Sequence, residues 1–126
     1  MSAPNIVNVS SIVGFTTHAA LGTSASTIVG NANASGKVYK INSIVVSNVD
    51  GSNSANVFVK YYSEAATATG ESAALAHEIA VAADSSLVVL DKASSIYLEE
   101  NNAIGAYASA SGDLDIIIGY EVIDDA

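Results

Sequence analysis

Residues 37–49 read KVYKINSIVVSNV, residues 55–62 read ANVFVKYY, and the turn cluster DGSNS lies between them. Two runs of β-formers flanking an Asp-Gly and Asn/Ser cluster predict a long β-hairpin, because Gly and Asn tolerate the positive φ values of tight hairpin turns. The second run alternates with period two. Ala55, Val57, Val59 and Tyr61 are expected on a core face, and Asn56, Phe58, Lys60 and Tyr62 on the opposite face, toward solvent or a partner. The first run keeps no single parity, since Tyr39 and Ile41 fall on one and Ile44 and Val46 on the other. Either a β-bulge near Asn42 and Ser43 switches the inward face, or the strand is covered on both sides.

Strand-like runs recur along the chain, at 12–21, 24–29, 75–81, 87–90, 96–98, 103–109 and 114–122. The last is the cleanest: Leu114, Ile116, Ile118, Tyr120 and Val122 alternate with Asp115, Ile117, Gly119 and Glu121. Leu75, His77, Ile79 and Val81 read as the inward set of their strand, and LVVL at 87–90 reads as a compact buried strand. Residues 63–74, SEAATATGESAA, read as a long loop with at most one helical turn. Short strands spaced by turn clusters, with no amphipathic helix, predict an all-β chain. The expected architecture is a single antiparallel β-sandwich or jelly-roll-like domain over 14–126, with an N-terminal arm or first strand over 1–13. A chain of 126 residues fits one such domain with a hydrophobic core of its own.

The charge balance narrows the functions. Thirteen acids face four lysines (Lys37, Lys40, Lys60 and Lys92), for a formal charge of −9. Nucleic-acid binding relies on cations that neutralise phosphates, and anionic membranes attract basic segments, so neither partner is expected. Only 13% of residues are charged while 50% are hydrophobic. A surface made largely of small polar and apolar residues costs little to desolvate and suits extensive contact between subunits. Without cysteine there is no disulfide and no thiolate metal site. The opening MSAPNIVNVSSIVG lacks a basic n-region, so the expectation is synthesis in a cytosol without a signal peptide, and the sequons at Asn8 and Asn33 are expected to be chance matches.

No residue pattern points to catalysis, and no cofactor or metal is expected. The two histidines, His18 and His77, flank no nucleophile motif; His77 is expected in the core and His18 at the surface or a contact. The acid pairs Glu99/Glu100, Asp113/Asp115 and Asp124/Asp125 sit in or beside turns, where neighbouring carboxylates splay toward solvent instead of facing each other across a sugar. The DGSNS turn supplies oxygen donors without the ligand spacing of a dedicated calcium loop. Of Tyr61 and Tyr62, adjacent in a strand, one must face the core, and Phe58 and Tyr62 are the expected interface aromatics.

Three phrases carry a family resemblance: GKVYKINSIVVSNVDGSNSANVFV, then IAVAADSSLVVLDKASSIYLEENNAIGAYASASGDLDIIIGYEVI, and the start MSAPNIVNV. Together they resemble small β-rich virion structural proteins of tailed bacteriophages, particularly marine ones. The resemblance implies a capsid decoration (cement) protein on the outer head surface, or alternatively a tail, neck or fibre accessory protein with a host-binding or adaptor role. It implies the major capsid protein or other virion subunits as partners, a homo-oligomer that is commonly a trimer, and location in the virion. In that role the N-terminal segment, with Ile6, Val7 and Val9, would be added as a strand or strap to a neighbour, and Asn56, Phe58, Lys60 and Tyr62 would supply further assembly contacts.

Overall fold

The computed structural model describes residues 10–65 and 69–124. Over these the chain forms nine strands: β1 (Ser11–Ala20), β2 (Ser26–Gly30), β3 (Lys37–Asn48), β4 (Ala55–Glu64), β5 (Thr69–Val81), β6 (Ser86–Leu90), β7 (Ile96–Leu98), β8 (Ala103–Ala108) and β9 (Leu114–Asp124). One antiparallel sheet, here the A sheet, has the order β1-β9-β3-β6, with β7 also paired to β3; the B sheet has the order β2-β8-β4-β5. The all-β sandwich expected from the strand pattern is present.

The pairings are nested. β4 pairs with β5, β3 with β6, β2 with β8 and β1 with β9, each antiparallel. The chain is thus one long antiparallel ribbon, rolled so that its arms cross repeatedly between two sheets, which is the jelly-roll topology. Each crossing is held by backbone hydrogen bonds between the two ribbon arms. Asn48 N donates to Ser85 O and Asp84 N to Asp50 O, at 2.8 and 3.2 Å; Leu21 N donates to Leu114 O and Ala108 N to Gly22 O, both at 2.8 Å. Asn31 N donates to Asn102 O and receives the Asn101 N–H at its own carbonyl.

This topology overturns the hairpin expected at 37–62. β3 lies in the A sheet and β4 in the B sheet, and the DGSNS turn carries the chain from one to the other. None of residues 50–54 has a positive φ, so the turn is not of the kind that pairs its flanking strands. Instead Asp50 Oδ1 accepts from Ser52 N (2.8 Å) and Asn53 N (3.2 Å), and buried Asn48 donates through Nδ2 to Asn53 O and Val81 O, both 2.9 Å away. Those hydrogen bonds hold the Asp50 carboxyl below its ordinary pKa. The hairpin lies one strand later, between β4 and β5, so Thr69 to Ala74, expected in a loop, are strand residues.

Core formation follows the alternation where the register is regular. Leu114, Ile116 and Ile118 of β9 meet Val57, Val59 and Ile104 of the B sheet in one cluster of buried side chains. On β3 the expected bulge is present: Ile41 pairs with Tyr120 and Ser43 with Gly119, which leaves Asn42 as the extra residue and lets Ile41, Ile44 and Val46 all point inward. Two other expectations fail on sheet position. LVVL is not a buried strand but part of β6 at the sheet margin, where Leu90 is buried and Val88 is exposed. His77 is exposed, because β5 carries an extra residue between the Val57–Ile79 and Val59–Ala76 pairs and the inward parity is reset there.

Candidate functional site

Two surfaces carry apolar or aromatic groups that are exposed or half-buried. The first is the outer face of the B sheet. Phe58 of β4 stacks on Tyr107 of β8, with ring centroids 4.5 Å apart and planes 7° apart, and meets His77 of β5 edge-on at 5.5 Å. Lys60 Nζ lies 5.7 Å from the centre of the Tyr107 ring. The alternation thus places Phe58 and Lys60 on the outer face as expected, and the structure joins them to Tyr107 and His77, which the sequence does not single out. Their partnership depends on strand pairing: Phe58 lies directly opposite Tyr107. An offset stack and an exposed cation–π contact each contribute on the order of 0.5–1 kcal/mol, so this row is in part satisfied within the subunit.

Asn56 keeps the outward parity and is half-buried, and its backbone is tied to the β8–β9 crossing, where its N–H donates to Ser109 Oγ and its carbonyl accepts from Ser109 N, both at 2.9 Å. One residue of that face differs from expectation. Tyr62 is only 6% exposed, so it is not available as an assembly contact. It keeps the outward parity, but its ring lies across Gly105, where a Cβ would stand 2.6 Å from the Tyr62 ring. The missing side chain on β8 makes the bed for the ring. Nearby, Thr27 Oγ1 donates to Ala65 O at 3.0 Å, drawing the end of β4 over the same face.

The second surface is β1, at the margin of the A sheet. It pairs with β9 through ten consecutive residues without a register shift. Its inner side carries Val13 and Phe15, which remain 49% and 48% exposed, and its outer side carries Ile12, 55% exposed, near one end, while Ile117 of β9, 49% exposed, lies opposite His18 toward the other end. β2, at the corresponding margin of the B sheet, has only five residues and cannot cover ten. An aromatic row runs inward from this margin: Phe15 stacks on Tyr120 at 5.7 Å, and Tyr120 on Tyr39 at 5.6 Å. Burial, and to a smaller extent the neighbouring Tyr39, raises the Tyr120 hydroxyl pKa. A shallow depression lined by Phe15, Asn42, Gly119 and Tyr120, about 350 Å³ in volume, adjoins the row.

Residues 11–13 of the expected arm are part of β1, while Ile6, Val7 and Val9 lie outside the described residues. His18 is exposed on β1 in the A sheet, and His77 on β5 in the B sheet, so the two are on different layers. Among the described residues no three His, Asp or Glu side chains gather in a way that would hold a metal ion. Of the acid pairs, Asp125 lies outside the described residues, and two of the remaining acids have local partners. Glu100 Oε2 accepts from Gly36 N at 2.6 Å, and Asp124 lies 4.0 Å from Lys37 Nζ, so each supports a local backbone or strand contact.

No family model and no curated protein matches the chain. Among solved structures, it is similar to a chain of the Bacillus endospore appendages, described as a family of disulfide-linked pili, with a TM-score of 0.53 and 17% identity over 92% of this chain and 88% of that one. A chain of the T13 IBDV viral particle aligns at a TM-score of 0.48 and 7% identity, over 90% of this chain and 31% of that one. At 17% identity the first likeness is one of fold, and the absence of cysteine means that a disulfide linkage between subunits has no counterpart here. The chain is an antiparallel β-sandwich of the kind also found in a subunit of an assembled surface appendage.

Proposed function

We propose that this protein is a non-enzymatic structural subunit of a bacteriophage virion, a decoration protein bound to the major capsid protein on the outer head surface. The observation that carries this reading is the weakly charged, apolar margin at β1, exposed on a molecule of net charge −9. A surface of that kind favours contact with protein and offers nothing to phosphate backbones. The resemblance of residues 36–59 and 79–123 to phage structural proteins supplies the setting. A tail, neck or fibre role is the second reading, supported by the fold shared with a pilus subunit. Mass spectrometry and cryo-EM of virions from a phage encoding the chain test both. Density for the sandwich on the head lattice is the expected result. Density at the tail alone selects the second reading, and a virion without the chain overturns both.

A further inference from the structure

The geometry points to the free margin of β1 as a self-pairing surface: two copies join antiparallel, β1 against β1, across a two-fold axis perpendicular to the A sheet. This deepens the assembly reading and rests on it for its biological meaning. Among the described residues no strand pairs with the side of β1 away from β9. A sheet margin presents a row of unmatched N–H and C=O groups, and proteins usually protect it with charges, proline, bulges or shortness. β1 has none of these. Its sequence SIVGFTTHAA contains no Lys, Asp, Glu or Pro, it is ten residues long, and its register with β9 is unbroken.

Length and charge choose the occupant. The other margins are unsuitable partners for a straight ten-residue edge: β2 and β6 have five residues each, β7 has three, and β5 is irregular in register and carries Glu71 and Glu78. A second β1 matches in full. Two molecules of charge −9 repel, and they repel least where the facing strips are uncharged. A two-fold axis perpendicular to the sheet keeps each face continuous. Val13 and Phe15 of both copies then share one side, where they are side chains that β2 leaves uncovered, and Ile12 of both copies lies on the other.

The absence of native cysteine permits a direct test on the full chain. Single cysteines are placed in turn at positions 12 to 19 and oxidised. Cross-strand Cα atoms approach to about 4.5–5.5 Å, within disulfide reach, only where like residues meet. The expected result is crosslinking at one or two positions near the middle of β1, falling to none toward both ends. Crosslinking at every position indicates parallel pairing, and crosslinking at none indicates head-to-tail contact or no contact at this margin; either overturns the proposal. In sedimentation the native chain is expected as a dimer. Val13→Lys is expected to weaken it at least about thirtyfold, the ratio equivalent to ~2 kcal/mol, with an unchanged circular dichroism spectrum. Ile79→Lys on the β5 margin serves as control and leaves the dimer intact. A native trimer, as the phage resemblance implies, or a dimer indifferent to Val13→Lys, overturns the two-fold contact without bearing on whether the chain is in the virion. A chain absent from the virion that still dimerises through β1 overturns only the virion assignment.

Discussion

β1 and β5 are both long marginal strands, and they are built in opposite ways. β1 runs ten residues in unbroken register with β9 and contains no Lys, Arg, Asp or Glu. β5 runs thirteen residues and departs from regular pairing with β4 three times, each time by one extra residue on β5. Glu78 and Gly70, at φ of 54° and 79°, lie within the first and third of these irregularities, and Ser63 Oγ accepts the Glu71 N–H that the third one displaces. Bulges twist an edge away from a flat partner, and exposed glutamates make a neighbouring acidic molecule unwelcome. One chain therefore contains a margin that resists strand addition and a margin that permits it. The difference supports the proposed pairing at β1 more firmly than hydrophobicity alone, since Ile79 on β5 is exposed as well.

β1 serves as a surface strand only if the A sheet behind it is stable without its exposed side chains. Ile118, fully buried at the centre of β9, pairs with Thr17 of β1 on one side and Ile44 of β3 on the other. Ile118→Ala is expected to lower the unfolding free energy by about 2–5 kcal/mol in urea titration, because the core loses contacts and retains a cavity. Phe15→Ala, at the exposed margin, is expected to cost less than about 1 kcal/mol when measured on the monomer, and to act mainly on association. Equal losses would mean that β1 is as much core as β9 and is not a surface held in reserve for a partner.

A smaller effect concerns how the β5 margin is anchored. Asn48 joins the end of β3 to the end of β5 through its bond to Val81 O, and its own Oδ1 accepts from Asp50 N at 2.8 Å. Asn48→Ala strands these buried groups and is expected to cost about 1–3 kcal/mol, with faster amide exchange at the β5–β6 crossing. Exchange unchanged there would show that the β4–β5 ladder alone fixes the protected margin.

What the sequence discloses follows the same division between regular and irregular pairing. The alternation in β9 and in residues 55–61 of β4 predicts their inward faces, because both strands keep register with β3 and β8 over those stretches apart from the Asn42 bulge. The parity change between Ile41 and Ile44 discloses even that bulge. In β5 each extra residue resets the parity, so His77 is misplaced by any period-two reading. The DGSNS cluster marks a turn correctly, but whether a turn pairs its strands or sends them to different layers is decided by partners distant in sequence, here Ser85 O and Val81 O. Likewise Phe58 and Lys60 are legible as outward residues, while their meeting with Tyr107 and the covering of Tyr62 over Gly105 depend on β8, some fifty positions away in the chain. The unprotected character of β1 is written in its composition. That it lies at a margin is a property of the strand order.

The smallest expected effect concerns whether the protection of β5 has a cost in stability. Glu78 holds a left-handed backbone at φ 54°, a conformation that disfavours any residue with a Cβ. Glu78→Gly relieves that strain, and against it stands the larger freedom that glycine gives the unfolded chain, so the expected outcome is a gain of roughly 0.5 kcal/mol or less in unfolding free energy, read as a small rise in denaturant midpoint. The bulge itself, set by the register on both sides, is expected to remain, and with it the resistance of β5 to strand addition, so the oligomeric state in sedimentation stays that of the native chain. If Glu78→Gly instead promotes larger assemblies, the glutamate charge and not the bulge is what guards this margin. The absence of charge on β1 would then be sufficient by itself to leave that margin open.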